Sequence, residues 1–289
     1  MKLVRVILVF GCCSISTSFA GAQLPFPPLS PKAVVSQTVG NTNIRIEYER
    51  PAVRGRVIFG ELVPYGQVWR TGAGRCTRIS FDRPVKIEGQ SVAAGVYALF
   101  SIPRQDTWTL ILNADTSLYG SYNYDETKDV LRLQVKPSFA GRHYEAFTID
   151  IDFIPNNARI YVSWDRVQVI FDITTSTDEA VITYIKDTLL SGVGVDPDEY
   201  ALAADYLMYQ NVDIPDVILL THKAIELGGG LFPRRVQMEA HERLSQVAEA
   251  IKRVKETMQY VEKLEYDKKE DKDRDRMHWR QHLERLSGQ

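Results

Sequence analysis

The sequence of 289 residues has only three cysteines, and two of them, Cys12 and Cys13, fall in its first segment. Cys76 then stands alone in the remainder, so no internal disulfide braces it and zinc modules built on cysteine pairs are excluded. A surplus of one charge is also missing: 35 basic residues face 37 acidic ones, for a net charge of −2. Without a basic footprint to neutralise phosphates, nucleic acid is set aside as a partner. Past residue 22 no apolar run is long enough to span a bilayer, so the mature chain carries no transmembrane helix. The phosphate-cradling G-x-x-x-x-G-K-[ST] and the nucleophile elbow G-x-S-x-G are both absent. P-loop nucleotide enzymes and α/β-hydrolases go with them, and no cofactor is called for.

The first residues, "MKLVRVILVFGCCSISTSFAGAQ", place Lys2 and Arg5 before an apolar run and Ala20-Gly21-Ala22 before Gln23. This is the layout of a secretory signal peptide over 1–22, with Gln23 the mature start, and it predicts an exported, periplasmic or extracellular protein. Acylation at Cys12 is the minor alternative. The bulky Phe10 sits just before Gly11, and a proper A-x-A site follows. A proline-rich linker, residues 23–33, comes next.

From about Val34 the pattern is that of strands. In "TNIRIEYE" Ile44, Ile46 and Tyr48 share one face and Arg45, Glu47 and Glu49 the other. Further strands are predicted at Thr77–Phe81, Val85–Glu88, Val96–Ile102, Trp108–Asn113, Val130–Val135, Phe147–Phe153, Arg159–Trp164 and Val167–Ile173. Short strands without intervening helices predict an antiparallel β-sandwich or barrel-like domain over 34–175. Gly89 and Asn156-Asn157 mark its tight turns. Beyond Asp178 the period becomes helical. "TDEAVITYIKDTLL" opens on a Thr/Asp capping signal, Pro197 follows Asp196 at a first turn, and "PDVILLTHKAIELGGG" stops at glycines. The expected fold class is therefore β plus α, the sandwich followed by an α-helical hairpin domain over 178–266, whose Ala and Leu spacing is tetratricopeptide-like. Residues 267–289 read as a charged tail, an exposed helix or a frayed end.

The stretch "YERPAVRGRVIFGELVPYGQVWRTGAGRCTRISF" concentrates Arg50, Arg54, Arg56 and Arg70 among glycines and prolines. Two readings of Arg70 stand side by side. As a clamp, its guanidinium satisfies loop carbonyls and pairs with an acid such as Glu47 or Asp82. As a site residue, it joins Arg54 and Arg56 in holding a small polar or anionic ligand, with Tyr65 and Trp69 as ring faces.

The same stretch carries a family resemblance. "RPAVRGRVIFGELVPYGQVWRTGAGRCT", Arg50 to Thr77, is similar to the pattern RPsvkGRxIFGxLVPYGxVWRTGANxxT of the bacterial domain-of-unknown-function family 2911, known from exported proteins. "AGVYALFSIP", "WTLILN" and "YNYDETKDVLRLQVKP" also look like family segments, so residues 31–175 resemble it. The resemblance implies an exported β domain, often with a helical tetratricopeptide-like extension such as 178–266. It assigns no activity. The chain departs from the pattern at Gly74, where Asn is usual, and at Cys76, where a small residue is common.

"SLYGSYNYDETKD" adds Tyr122 and Tyr124 as loop aromatics that either stack on a ligand ring or cover the sheet edge. Cys76 with His143 makes no catalytic pair on sequence alone, and His278 and His282, one helical turn apart, lack the Glu of a zinc motif. No metal and no catalytic residue is assigned. The expectation is a cell-envelope binding or assembly module, its helical part contacting a protein partner. The alternative is a hydrolase of envelope glycans or peptides using paired carboxylates drawn from Glu47, Asp82, Asp106, Asp115, Asp150 and Asp152.

Overall fold

The computed structural model describes residues 26–194 and 196–288; the signal peptide expected over 1–22 and the start of the expected proline-rich linker lie outside the described residues. Among the described residues ten strands precede six α-helices. A six-stranded sheet has the order β1 (Lys32–Val39), β2 (Thr42–Glu49), β3 (Thr77–Phe81), β6 (Gly95–Ile102), β7 (Trp108–Asn113), β8 (Asp129–Val135). A four-stranded sheet has the order β5 (Gln90–Val92), β4 (Val85–Ile87), β10 (Asn157–Thr175), β9 (Ser138–Ile154). All paired strands are antiparallel. The result is an open two-sheet sandwich and not a closed barrel.

The core between the sheets follows from period-2 alternation. Ile44, Ile46 and Tyr48 of β2 and Ile79 and Phe81 of β3 meet Phe147, Ile149, Ile160 and Phe171 of the facing sheet. Glu88 and Gly89, both at positive φ (46° and 79°), close the tight β4–β5 hairpin. In β6 and β7 alternation fails, because both faces are covered: Ala98, Phe100 and Ile111 pack with Cys76, Leu118 and Tyr124 on the outer side.

The sequence divides 147–173 into three strands, whereas the chain forms one long hairpin of β9 and β10. The apparent break at residue 165 is a bulge. The register with β9 shifts between Ser163 and Val167, and Asp165 takes φ 53°. Inward residues are even-numbered before it (Ala158, Ile160, Val162, Trp164) and odd-numbered after it (Val169, Phe171, Ile173).

The helices are α1 (Thr177–Tyr184), continued by a π-helical turn to Leu189, then α2 (Pro197–Gln210), α3 (Ile214–Glu226), α4 (Leu231–Arg243), α5 (Val247–Lys263) and α6 (Lys269–Ser287). From α2 on, each packs on the next. Asp196 caps α2 by accepting the Asp198 N–H at 3.0 Å, with Pro197 at the first turn. The Thr/Asp cap expected at α1 does not form. The N-cap is Ser176, without a side-chain bond, because both expected groups are used elsewhere. Thr177 accepts the Asn41 N–H at 3.0 Å. The Asp178 carboxylate accepts Asn156 Nδ2 and Gln210 Nε2, each at 2.6 Å, and the Tyr206 hydroxyl, tying the β9–β10 turn to α1 and α2. The charged end of the sequence is α6, a helix with a dry seam: Trp279 and Leu286, two turns apart, are buried with Val254 and Val261 of α5.

Candidate functional site

The Arg-rich connection between β2 and β3 runs irregularly over one end of the sandwich and is pinned by backbone bonds. Trp69 and Ser101 exchange N–H···O bonds of 2.7 and 2.8 Å, and Val53 N–H donates to Glu145 O at 2.7 Å. Trp69 is an element of the core. It is 8% exposed, its Nε1–H is spent on Gly72 O at 3.0 Å, and its ring stacks on Trp164 at 5.8 Å with Phe147 edge-on at 5.4 Å. Only as a wall does it reach the loop's cavity.

The four arginines divide by partner. Arg50 Nε donates to Phe147 O and its Nη2 to Thr148 Oγ1, both at 2.9 Å. Arg56 holds Val53 O at 3.1 Å and Ala52 O at 2.6 Å, and Arg54 holds Leu29 O at 3.0 Å. Arg54 and Arg56 thus satisfy loop carbonyls, and Arg50 ties the loop to strand β9. Arg70 does neither: among the described residues its guanidinium has no hydrogen bond or ion pair, and its buried Nε is unpartnered. Neither acid considered for it is free. Glu47 is engaged by Arg45 at 2.6 Å and by Arg78, which hold its carboxyl below the usual range, and Asp82 accepts the Asn43 N–H at 2.8 Å and Nδ2 at 2.7 Å.

Arg54, Arg56 and Arg70 line one cavity of about 290 Å³ with Leu62, Trp69 and Trp164, and no carboxylate residue is among its walls. Trp164, 2% exposed, also has an Nε1–H without a partner. A buried N–H with no acceptor costs about 1–3 kcal/mol, and two such groups belong to residues that wall this cavity, beside the Arg54 and Arg56 guanidinium groups and no carboxylate. Sequence reasoning missed Trp164. The signal was present in the change of parity of apolar residues across Asp165.

The tyrosine loop is drawn to the same place in part. Gly120 N–H donates to Gly74 O at 2.8 Å, Cys76 N–H to Leu118 O at 3.0 Å, and Arg75 bridges Tyr119. Gly120 has φ 72°, and a Cβ on it would stand 2.8 Å from the Tyr122 ring and 3.5 Å from Arg70 Nη1, so Arg70 and Tyr122 flank it. Tyr122 is 85% exposed. Tyr124 is not at this site. Its hydroxyl donates to Asp129 Oδ2 at 2.6 Å and its ring packs edge-on to Phe100 at 5.2 Å, and burial with the Asp129 charge pushes the phenol far above its ordinary range. It covers the outer face of the sheet. Tyr65 lines a different cavity, with Arg104.

The departure at Gly74 has a steric account. The Glu49 carboxylate occupies the space that a side chain at Gly74 (φ 55°) would need, so an asparagine there would displace Glu49.

The remaining candidates separate in space. Cys76 is 4% exposed, its Sγ donates to Thr116 O at 3.5 Å, and burial pushes the thiol up, which makes it a poor nucleophile. His143 lies instead between Asp165 at 2.9 Å and Glu145 at 3.2 Å. His278 and His282 face each other with Nε2 atoms 3.3 Å apart, and no cluster of three potential metal ligands occurs among the described residues. Of the carboxylates, Asp115 is held by Ser117 and Lys128, which lower it to about 2, and Asp150 and Asp152 are on the exposed face of β9. Every carboxylate that shifts among the described residues shifts down, the opposite of what a general acid requires. No described helix is long and apolar enough to cross a membrane.

No curated protein and no solved structure matches the chain at a significant level. The family described as "Protein of unknown function (DUF2911)" matches residues 30–173, the span of the sandwich from the lead into β10. Through this β domain, with its arginine-lined cavity, the chain belongs to the DUF2911 family.

Proposed function

We propose that the chain is a binding module of the cell envelope whose β domain holds a small anionic ligand in the cavity of Arg54, Arg56 and Arg70. The observation that carries this reading is the pair of buried, unpartnered donors, Arg70 Nε and Trp164 Nε1, beside a cavity with no carboxylate in its walls. Carboxylate, phosphate and sulfate oxygens all suit these donors, and the guanidinium fork favours a bidentate grip. Calorimetric titration of the protein with inorganic phosphate, sulfate and citrate tests it. Saturable binding of at least one anion, weakened when Arg70→Lys replaces the planar fork with a point charge, is the expected result. Heats no larger than those of chloride at equal ionic strength would reject it.

Export rests on the leader over 1–22 and predicts a protein beginning at Gln23 in the periplasmic or secreted fraction, read by N-terminal mass spectrometry. The helical half, a tetratricopeptide-like stack in this reading, supplies a partner-contact surface. Support comes from Leu202 and Tyr209, two turns apart on α2 and 63% and 65% exposed. Photo-crosslinkers at Leu202 should capture one defined protein, and crosslinkers at exposed Glu residues should not.

A further inference from the structure

A second cavity, of about 300 Å³, shares no lining residue with the first. Phe59, Tyr65, Trp108 and Phe139 give it ring surfaces, Arg104 and Arg166 give it charge, and again no carboxylate is in the wall. Phe59 is a rigid floor. Its ring meets those of Trp108, Trp69 and Trp164 edge-on at 4.9, 6.1 and 6.3 Å. Above that floor two rings are open to solvent, Phe139 at 64% and Tyr65 at 41% exposure.

The arginines are placed by the fold. Had β10 kept the even-numbered inward phase that ends at Trp164, residue 166 would point into the core. The bulge at Asp165 reverses the phase and delivers Arg166 to the cavity. His143 holds that bulge through Asp165 at 2.9 Å. Neither Arg104 nor Arg166 has a hydrogen bond or ion pair among the described residues. Gln105 and Ser138 complete the lining with neutral hydrogen-bonding groups, and Ser138, donating to Gln168 O at 3.3 Å, keeps its acceptor lone pairs.

We propose that this cavity binds an acidic saccharide, its sugar ring on the Tyr65 and Phe139 faces and its carboxylate on Arg104 and Arg166. Solvent-open aromatic faces suit the C–H face of a sugar, and the amide and hydroxyl groups suit its hydroxyls. A planar aromatic acid would use the rings and the arginines and leave Gln105 and Ser138 without a role. This site is independent of the anion cavity.

The test titrates the whole protein with trigalacturonate, against neutral maltotriose and against benzoate. Trigalacturonate should bind, maltotriose much more weakly, and benzoate not measurably. Arg166→Ala and Phe139→Ala alter exposed side chains, so their melting curves should match the parent while affinity for trigalacturonate falls by about tenfold or more, as for loss of one charge-assisted bond or one stacking face. Phosphate binding at the first cavity should be unchanged in both variants. Equal binding of maltotriose would remove the charge from the proposal, and binding of benzoate with no binding of the saccharide would replace its ligand class. No binding of trigalacturonate at millimolar concentration would overturn it. Loss of saccharide binding in Arg70→Ala with retention in Arg166→Ala would move the ligand to the first cavity and overturn it equally.

Discussion

Most arginines of the helical half meet acids, whereas those of the β-domain loops meet carbonyls or no protein partner. On the helices Arg285 grips Glu242 across α6 and α4 at 2.5 and 2.9 Å, Arg253 takes Glu256 at 2.7 Å and Glu249 at 3.3 Å, and Arg276 takes Glu262; the exceptions include Arg243, on Met208 O at 2.7 Å, and Arg234, over the Tyr260 ring at 4.0 Å with its buried Nε unpartnered. In the loops Arg50, Arg54 and Arg56 meet carbonyls, whereas Arg70, Arg104 and, at the β10 bulge, Arg166 have no hydrogen bond or ion pair among the described residues. The helical pattern is that of solvated faces laced with exchangeable pairs. A guanidinium left without a protein partner adds little to the fold, and under the proposed function this contrast marks the loop end of the sandwich as the ligand-facing region.

Substitutions can break or sharpen that contrast. The largest effect is expected at Trp69→Ala. Removing a ring packed against Trp164, Phe147 and Trp108 should cost about 3–5 kcal/mol in chemical denaturation, which would separate the structural ring from the neighbouring unpartnered charge. Arg50→Ala comes next, with a loss of about 1.5–3 kcal/mol, because a charged donor leaves Phe147 O and Thr148 Oγ1. If Arg50→Ala were neutral, the division between clamping and unpartnered arginines would lose its meaning. Arg285→Ala, by contrast, removes a partly exposed pair and should cost no more than about 1 kcal/mol, with the difference shrinking in high salt.

The smallest effect is one of pH. Glu145 and then Asp165 raise the His143 pKa, so the folded state favours the imidazolium. That contribution is fully present below the unfolded value near 6.5 and is lost as pH rises through the higher folded value. The gap in melting temperature between parent and His143→Gln should therefore narrow from pH 6 toward alkaline pH. A gap that widens would contradict the pairing.

Much of this was legible in the sequence, for reasons that can be named. Period-2 alternation in "TNIRIEYE" located β2 and its buried face, and Asp196-Pro197 located the start of α2, since both signals are local. The long β9–β10 hairpin was not legible as one element, because the bulge at Asp165 looks like a turn until strand pairing is known. The packing of α6 was hidden by its charge: only Trp279 and Leu286 mark the buried seam. At the site, the grouping of Arg54, Arg56, Trp69 and Arg70 followed from nearness in sequence. Tyr65 and Tyr124 stand apart from them in space because a loop's direction is set by tertiary contacts, Tyr124 to Asp129 and Phe100 and Tyr65 beside Arg104. Trp164, about a hundred residues away in the chain by simple count, could enter only through the fold.

The central claim is that Arg70 is kept for a ligand and not for the fold. Thermal unfolding of the parent and of Arg70→Ala, each with and without phosphate against chloride at equal ionic strength, tests it most directly. The account predicts that the two proteins melt together without phosphate, within about 1 kcal/mol, and that phosphate raises the melting temperature of the parent alone, as binding to the native state requires. A loss of about 3 kcal/mol or more in Arg70→Ala without phosphate, with no anion-dependent rise in either protein, would contradict it and make Arg70 a clamp.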